Sequence, residues 1–237
     1  MSAPEPVLRV LTWNVRDLLG DPFALTRVLR AADADVVCLQ EAQRLPGSRN
    51  RLARLAGRTG LFFVAGGRVS AGTALLVSLR TEVRDATASR LPVAGWRTRP
   101  RGSVRATVSL VGGGPVQVTC LHLGLDEDQR ARHVGLLLEA LPRVDTSDAL
   151  PVVLAGDLNE RPDGPSWAAL AARAVDPGTG APPTFRAAHP RLRIDAVLVD
   201  PVLQVRSYGF PAGVEVADVV AASDHRPVLA EIVLPPS

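Results

Sequence analysis

Pro151-Val152-Val153-Leu154-Ala155-Gly156-Asp157-Leu158-Asn159 is a short apolar run that closes on two polar residues two positions apart. Residues i and i+2 of a strand project to one side, so Asp157 and Asn159 share a face where the strand stops. An Asx turn ending a strand accounts for the pair equally well. Three further stretches place polar residues at the end of apolar runs: Thr12-Trp13-Asn14, Leu39-Gln40-Glu41 and Ser223-Asp224-His225-Arg226-Pro227. Strands that end in Asn, Glu, Asp or His can build one reactive mouth from distant parts of a chain.

Outward from these stretches, Val, Leu and Thr recur at strand length. Strands are predicted at Val7–Trp13, Val36–Leu39, Leu61–Val64, Thr73–Leu79, Val104–Val111, Val116–Leu123, Val152–Ala155, Ile194–Val199, Val202–Tyr208 and Val228–Val233. Gly112-Gly113-Gly114-Pro115 reads as a hairpin turn between two of them. Helical patterns are fewer: Pro22–Ala32 behind an Asp21 N-cap, Asn50–Arg58, Asp126–Leu141 with acids in its first turn, and Pro165–Ala172. Helices separate only some of the strands, which argues for two packed sheets with helices outside rather than a fully alternating parallel sheet.

The 237 residues, 46% of them hydrophobic, suit one domain over 1–237 with a core from about 7 to 234. Two cysteines, Cys38 and Cys120, each in a Val/Leu-rich run, read as buried thiols in a reducing compartment. No signal-peptide pattern opens the chain and no run reaches the length of a membrane span, so a cytoplasmic monomer with no membrane partner is expected. The net charge is +3, and all 27 basic residues are arginine. Their placement is uneven: Ala42 to Thr81 holds seven arginines and no acid, and Ala86 to Leu125 holds five and no acid. The remainder carries 15 arginines against 24 acids, a segregation that suggests a positive surface facing a polyanion.

Each polar strand end has a chemical reading and a plainer one. A carboxylate beside a carbonyl oxygen, as Glu41 and Asn14 offer, suits a hard cation such as Mg²⁺; a turn former and a surface acid are the alternatives. Asp157 can orient or deprotonate a water, and Asn159 can bind a developing anionic oxygen. His122, flanked by Leu121 and Leu123, is otherwise a hydrogen-bonded core histidine. An Asp on one imidazole nitrogen fixes the tautomer and raises basicity, which makes Asp195 the candidate partner for His225. His133 lies in a helical pattern and His189 in a Pro-flanked loop, without an evident role.

Trp13-Asn14, Gln40-Glu41, Gly72 with Leu-Leu-Val-Ser after it, Leu121-His122-Leu123, Gly156-Asp157-Leu158-Asn159, Arg193-Ile194-Asp195 and Ser223-Asp224-His225-Arg226-Pro227 follow one another in this order. As an ordered set they resemble the endonuclease/exonuclease/phosphatase superfamily, whose fold is shared by DNase I, exonuclease III-like nucleases, neutral sphingomyelinases and inositol polyphosphate 5-phosphatases. The resemblance runs from Val10 to Ala230. It implies a DNase I-like four-layer α/β/β/α sandwich of two packed mixed sheets, and metal-dependent phosphoester hydrolysis with Mg²⁺ or, alternatively, Mn²⁺. It also implies Glu41 as principal metal ligand with Asn14 and Asp224 beside the ion, and Asp157 positioning water. Asn159 then contacts the scissile phosphate, Asp195 and His225 form a polarised pair, and His122 is a phosphate ligand or leaving-group acid.

Departures narrow the subgroup. Asn14-Val15-Arg16-Asp17 and Gln40-Glu41-Ala42-Gln43 differ from the exonuclease III-like branch, which argues against abasic-site repair. His133 stands where many relatives carry Gln. Arg90, Arg97, Arg99, Arg101 and Arg105 surround Trp96, and five more arginines follow between Arg44 and Arg58. Arg97, Arg99, Arg101 and Arg105 are the candidate phosphate contacts on a nucleic-acid substrate, with solvated surface as the alternative. Aromatic content of 4% argues against a stacking platform for single strands. A nuclease is therefore expected first, and a phosphatase or phosphodiesterase for a small phosphorylated metabolite or lipid headgroup second.

Overall fold

The computed structural model describes residues 5–43, 45–93, 98–142 and 149–236. Eleven strands and five α-helices are found among them, with short 3-10 turns at Arg16–Leu18 and Gly67–Ser70. The strands are β1 (Val7–Asn14), β2 (Val36–Gln40), β3 (Phe62–Gly66), β4 (Ala74–Val77), β5 (Thr81–Leu91), β6 (Arg101–Leu110), β7 (Val116–His122), β8 (Val152–Asp157), β9 (Asp195–Val199), β10 (Gln204–Gly209) and β11 (Val228–Val233). The helices are α1 (Pro22–Ala32), α2 (Ser48–Thr59), α3 (Glu127–Glu139), α4 (Pro165–Ala171) and α5 (Val216–Ala222).

One sheet has the order β10-β11-β1-β2-β4-β3, the other β5-β6-β7-β8-β9. Both are mixed: β1–β2 and β7–β8 are parallel pairs, and the neighbours are antiparallel. Strand alternation sends one set of side chains into the space between the sheets, where Val10, Val36, Cys38, Leu75, Val118, Cys120 and Val197 meet. The opposite set packs under helices. Leu11, Trp13, Val37 and Leu39 lie against α1, α2 and α5, while Leu121, Leu154 and Leu198 lie against α3 and α4. This is a four-layer α/β/β/α sandwich, with the two apolar thiols buried in its central layer.

Helix termini follow the local chemistry. Asp21 caps α1 by accepting from Phe23 N at 2.8 Å and Ala24 N at 3.3 Å. Asp126 caps α3 through Gln129 N at 2.9 Å. Two elements differ from the sequence expectation. β5 carries polar residues on both faces because it is an exposed edge strand paired only with β6, so no alternation marks it. α5 is short and valine-rich, a composition that favours strands in isolation; packing against α1 holds it as a helix.

Candidate active site

Strand registers align the polar ends. In the first sheet Asn14 stands opposite Gln40, and Val15 N donates to Gln40 O at 2.9 Å, which sets Glu41 beside Asn14. In the second sheet Gly102 pairs with His122, His122 with Asp157, and Asp157 with Asp195. One row of four strands therefore presents Arg101, His122, Asp157 and Asp195 at a common end. Gly156 lets β7 and β8 approach there: a Cβ at this position would lie 2.0 Å from Leu121 O.

The Asp157 carboxylate is the hub. Its Oδ2 accepts from Asn14 Nδ2 at 2.9 Å and lies 3.3 Å from His122 Nε2 and 3.9 Å from His225 Nε2. Its Oδ1 accepts from Asn159 N at 2.9 Å. The other side of the His225 ring faces Asp195, whose oxygens sit 2.9 and 3.2 Å from Nδ1. Arg101 spans the mouth, with Nη1 3.4 Å from Glu41 Oε1 and 3.3 Å from His122 Nδ1. An arginine only donates, so His122 Nδ1 accepts and its proton belongs on Nε2. That Nε2 is buried and lacks the alignment for a hydrogen bond to Asp157, which leaves one donor aimed into the site.

The electrostatics follow from burial and these neighbours. Burial disfavours the charged form of His225, but Asp195, Asp157 and Asp224 outweigh it and raise its pKa to about 10. Burial also pushes Asp157 up, yet the two histidines and the Asn14 hydrogen bond hold it well below the usual carboxylate range. Complete burial pushes Asp195 up against the pull of His225. Both Asp195 oxygens face Nδ1, so that nitrogen carries the proton in the pair. His122 is lowered by burial and then by Arg101, and so is neutral near pH 7.

Backbone strain concentrates at the same mouth. Arg16, Asp17, Glu41, Gln43 and Asn159 all have positive φ, between 48° and 77°. Left-handed conformations cost a non-glycine residue roughly 1 kcal/mol each, and such residues gather at functional sites where the surroundings hold them.

The donors fit a hard divalent cation. Glu41 is open to the mouth, with its side chain 16% exposed, and follows Gln40, the strand partner of Asn14. Ser223 Oγ donates to Asn14 O at 2.6 Å, which brings the loop carrying Asp224 to the same place. Oxygen ligands of this kind, few in number, match an ion that keeps several waters. Asp157, Asp195 and His225 also present atoms within 4.8 Å of one another. On the other side, Asn14 Oδ1 accepts from Arg16 N at 3.0 Å and Glu41 faces Arg101, so each set of donors already has partners within the chain.

The structure brings together most of the residues singled out from sequence. Asn14, His122, Asp157, Asp195 and His225 form one contiguous cluster, and Glu41 joins through Arg101. Asp224 is half-buried, and its backbone carbonyl accepts from Ala187 N at 2.6 Å. Asn159 turns its Nδ2 to Leu123 O at 3.0 Å. Among the candidate phosphate arginines, Arg101 is buried at the centre and Arg99 is exposed. Arg97 lies outside the described residues. Arg105, four residues further along β6, donates its guanidinium to Ala140 O at the end of α3. His133 holds the Pro92 carbonyl through Nε2 at 2.8 Å, an anchor for the segment after β5.

Of three supporting residues, Thr184 and Phe185 carried no legible signal, and Trp13 was legible only as part of the Trp13-Asn14 motif. Thr184 Oγ1 accepts from the backbone N of Ile194 and Asp195, at 3.2 and 3.3 Å. The Phe185 ring lies 4.8 Å from the His225 ring. Trp13 Nε1 donates to His225 O at 2.9 Å. Thr184 and Phe185 end a Gly/Pro-rich loop with no periodicity, and only a fold-level pairing reveals them.

The sequence matches the Endonuclease/Exonuclease/phosphatase family over residues 11–225, and the chain belongs to that family. Among curated proteins none matches by sequence. Several solved structures share the fold. A functionally unknown conserved protein from Enterococcus faecalis V583 is 19% identical, with TM-score 0.80, covering 96% of this chain and 100% of that one. A mannosyl-6-phosphatase from Bacteroides thetaiotaomicron VPI-5482 is 21% identical, with TM-score 0.75 and coverages of 96% and 100%. The human Nocturnin catalytic domain with bound sulfate is 19% identical, with TM-score 0.72 and coverages of 97% and 94%. Membership defines the broad chemistry as metal-dependent phosphoester hydrolysis. Among the described residues no helix is long and apolar enough to cross a membrane.

Proposed function

We propose that this chain is a Mg²⁺-dependent nuclease that cleaves phosphodiester bonds of nucleic acid by activated water, with Mn²⁺ as the alternative ion. The observation that carries this reading is the Asp157 hub, joined to Asn14, His122 and His225 beneath a mouth spanned by Arg101 and Glu41. Glu41, Asn14 and Asp224 would hold the ion, which supplies charge neutralisation at the phosphate.

The other roles belong to the chain itself. Asp157, kept ionised by its neighbours, orients the attacking water and takes part in its deprotonation. Asp195 holds the His225 ring so that Nε2 faces the reacting group. His122 Nε2–H and the Arg101 guanidinium donate to phosphate oxygens, whose charge builds as the ester bond breaks. Asn159 contacts the same phosphate once its amide leaves Leu123 O. Exposed arginines around the mouth favour a polymeric, repeatedly charged substrate.

A small phosphorylated metabolite is the second reading, supported by the full-length likeness to a mannosyl-6-phosphatase. One assay panel separates the two: oligonucleotide DNA and RNA, bis-p-nitrophenyl phosphate and p-nitrophenyl phosphate, each with Mg²⁺, Mn²⁺ or EDTA. Diester and oligonucleotide turnover is expected, with loss in EDTA. Turnover of the monoester alone would overturn the nuclease reading. Glu41→Gln is expected to weaken Mn²⁺ binding measured by calorimetry and to cut turnover at least about 100-fold. Unchanged metal affinity in that variant would remove Glu41 from the ligand set.

A further inference from the structure

The chain has a second concentration of positive charge, on α2, that the hydrolytic chemistry does not use. Arg51, Arg54 and Arg58 lie at i, i+3 and i+7, so one helix face carries all three. They line a groove of about 220 Å³ between α2 and α1, floored by Leu18, Leu25 and Leu55. Asp21 is the one carboxylate lining it, and its Oδ1 is committed to the α1 N-cap. The arginine stems can rest on the apolar floor, which accounts for their methylenes but not for their charge. Arg54 and Arg58 are exposed and find no acceptor for their guanidinium groups among the described residues.

The groove begins where the candidate mouth ends. Gln43, two residues after Glu41, accepts from Arg51 Nη1 at 2.8 Å and donates to Asp17 O at 3.1 Å. Leu18, at the groove wall, belongs to the 3-10 turn that follows Asn14 and Val15. Arg51 to Arg58 spans about 10 Å of helix rise. A nucleic-acid strand running along the helix presents about two or three phosphates over that length.

We infer that the Arg51–Arg54–Arg58 face of α2 is a backbone-phosphate subsite that holds the nucleic-acid strand beyond the scissile bond. The inference rests on the nuclease reading for its substrate class, and binding tests it separately from cleavage. A fluorescein-labelled single-stranded oligonucleotide is titrated into the full chain in EDTA, with anisotropy followed at several salt concentrations. Arg54→Ala/Arg58→Ala is expected to weaken binding about tenfold at low salt and to reduce the salt slope by about 1.4, at 0.7 per lost contact. Arg84→Ala/Arg206→Ala removes equal charge from β5 and β10, and is expected to change affinity far less.

Equal losses in the two double variants would overturn the subsite, since net charge alone would then explain binding. Failure of the wild-type chain to bind, or an unchanged slope in the α2 variant, would overturn it as well. Binding that depends on Arg54 and Arg58, without cleavage when Mg²⁺ or Mn²⁺ is restored, would keep the subsite and overturn the nuclease reading. A melting curve checks the fold, and Arg54→Gln/Arg58→Gln repeats the measurement with the polar surface retained.

Discussion

Asp195 is fully buried and commits both carboxylate oxygens to one nitrogen of His225, a residue 30 positions away. The pair has a signature in the metal-free protein. An unperturbed histidine titrates near 6.5, whereas His225 is raised to about 10. A raised histidine stabilises the fold fully below its unfolded pKa, and the contribution is lost as pH rises through the folded value. Urea midpoints should therefore fall between about pH 6.5 and 10, and Asp195→Asn should show a smaller fall over that window. The same variant should slow turnover about 100-fold or more, because the imidazole loses its orientation and part of its basicity. NMR titration of the ring decides the cause: an unshifted His225 in Asp195→Asn would mean that Asp195 does not set its charge. The residue scale was well legible where a motif carried a polar strand end, as with Asp157 and His225. It was illegible for Thr184 and Phe185, and for the contact that Trp13 makes with His225 O, because these are backbone and ring contacts that no local pattern encodes.

Elements were legible in proportion to how one-sided their burial is. α1 starts and ends where the sequence reading put it, because Asp21 and Pro22 mark its start and its buried face repeats at helical spacing. β5 lacked such a mark, being exposed along most of its length. β8 lies at the other extreme, buried throughout. Its Gly156 meets β7 closely enough that a methyl group would fall 2.0 Å from Leu121 O. β8 cannot easily yield, since it is paired on both sides, His122–Asp157 with β7 and Asp157–Asp195 with β9. Gly156→Ala should therefore destabilise the chain by about 3 kcal/mol and displace Asp157, with activity lost even at temperatures where the variant is folded. Asp126→Ala is the contrasting case. It removes one accepted backbone N–H at the start of α3, so about 1 kcal/mol should be lost with turnover intact. Urea denaturation and a diester assay on both variants test the contrast, and a fully active Gly156→Ala would show that β7 and β8 can separate without moving the site.

At the scale of the whole molecule, the site is divided between the two sheets. Asn14 and Glu41 stand at strand ends of one, Arg101, His122, Asp157 and Asp195 occupy the end of the other, and the site's bonds that cross include Asn14 to Asp157, Arg101 to Glu41, and Asp195 to His225. Their geometry therefore depends on the apolar layer between the sheets, which fixes how far apart and at what angle the two halves stand. The outer layers carry comparable apolar burial and seat the helices, with Trp13 as the outer-layer residue that also holds His225 O. Leu75 in the central layer and Leu170 on the buried face of α4 are both fully buried, and truncation of either should cost about 2–5 kcal/mol through lost contact and cavity. Their effects on catalysis should differ. Leu75→Ala lets the sheets relax toward each other, and a shift approaching 1 Å at the site can cost about 100-fold in turnover. Leu170→Ala leaves the inter-sheet distance alone and should retain near-normal kcat at a temperature where it is folded. The measurement is kcat at matched fractional folding, with stability taken from urea curves. Equal kcat in the two variants would mean that the strand ends are held by their own hydrogen bonds, with the central layer contributing stability alone.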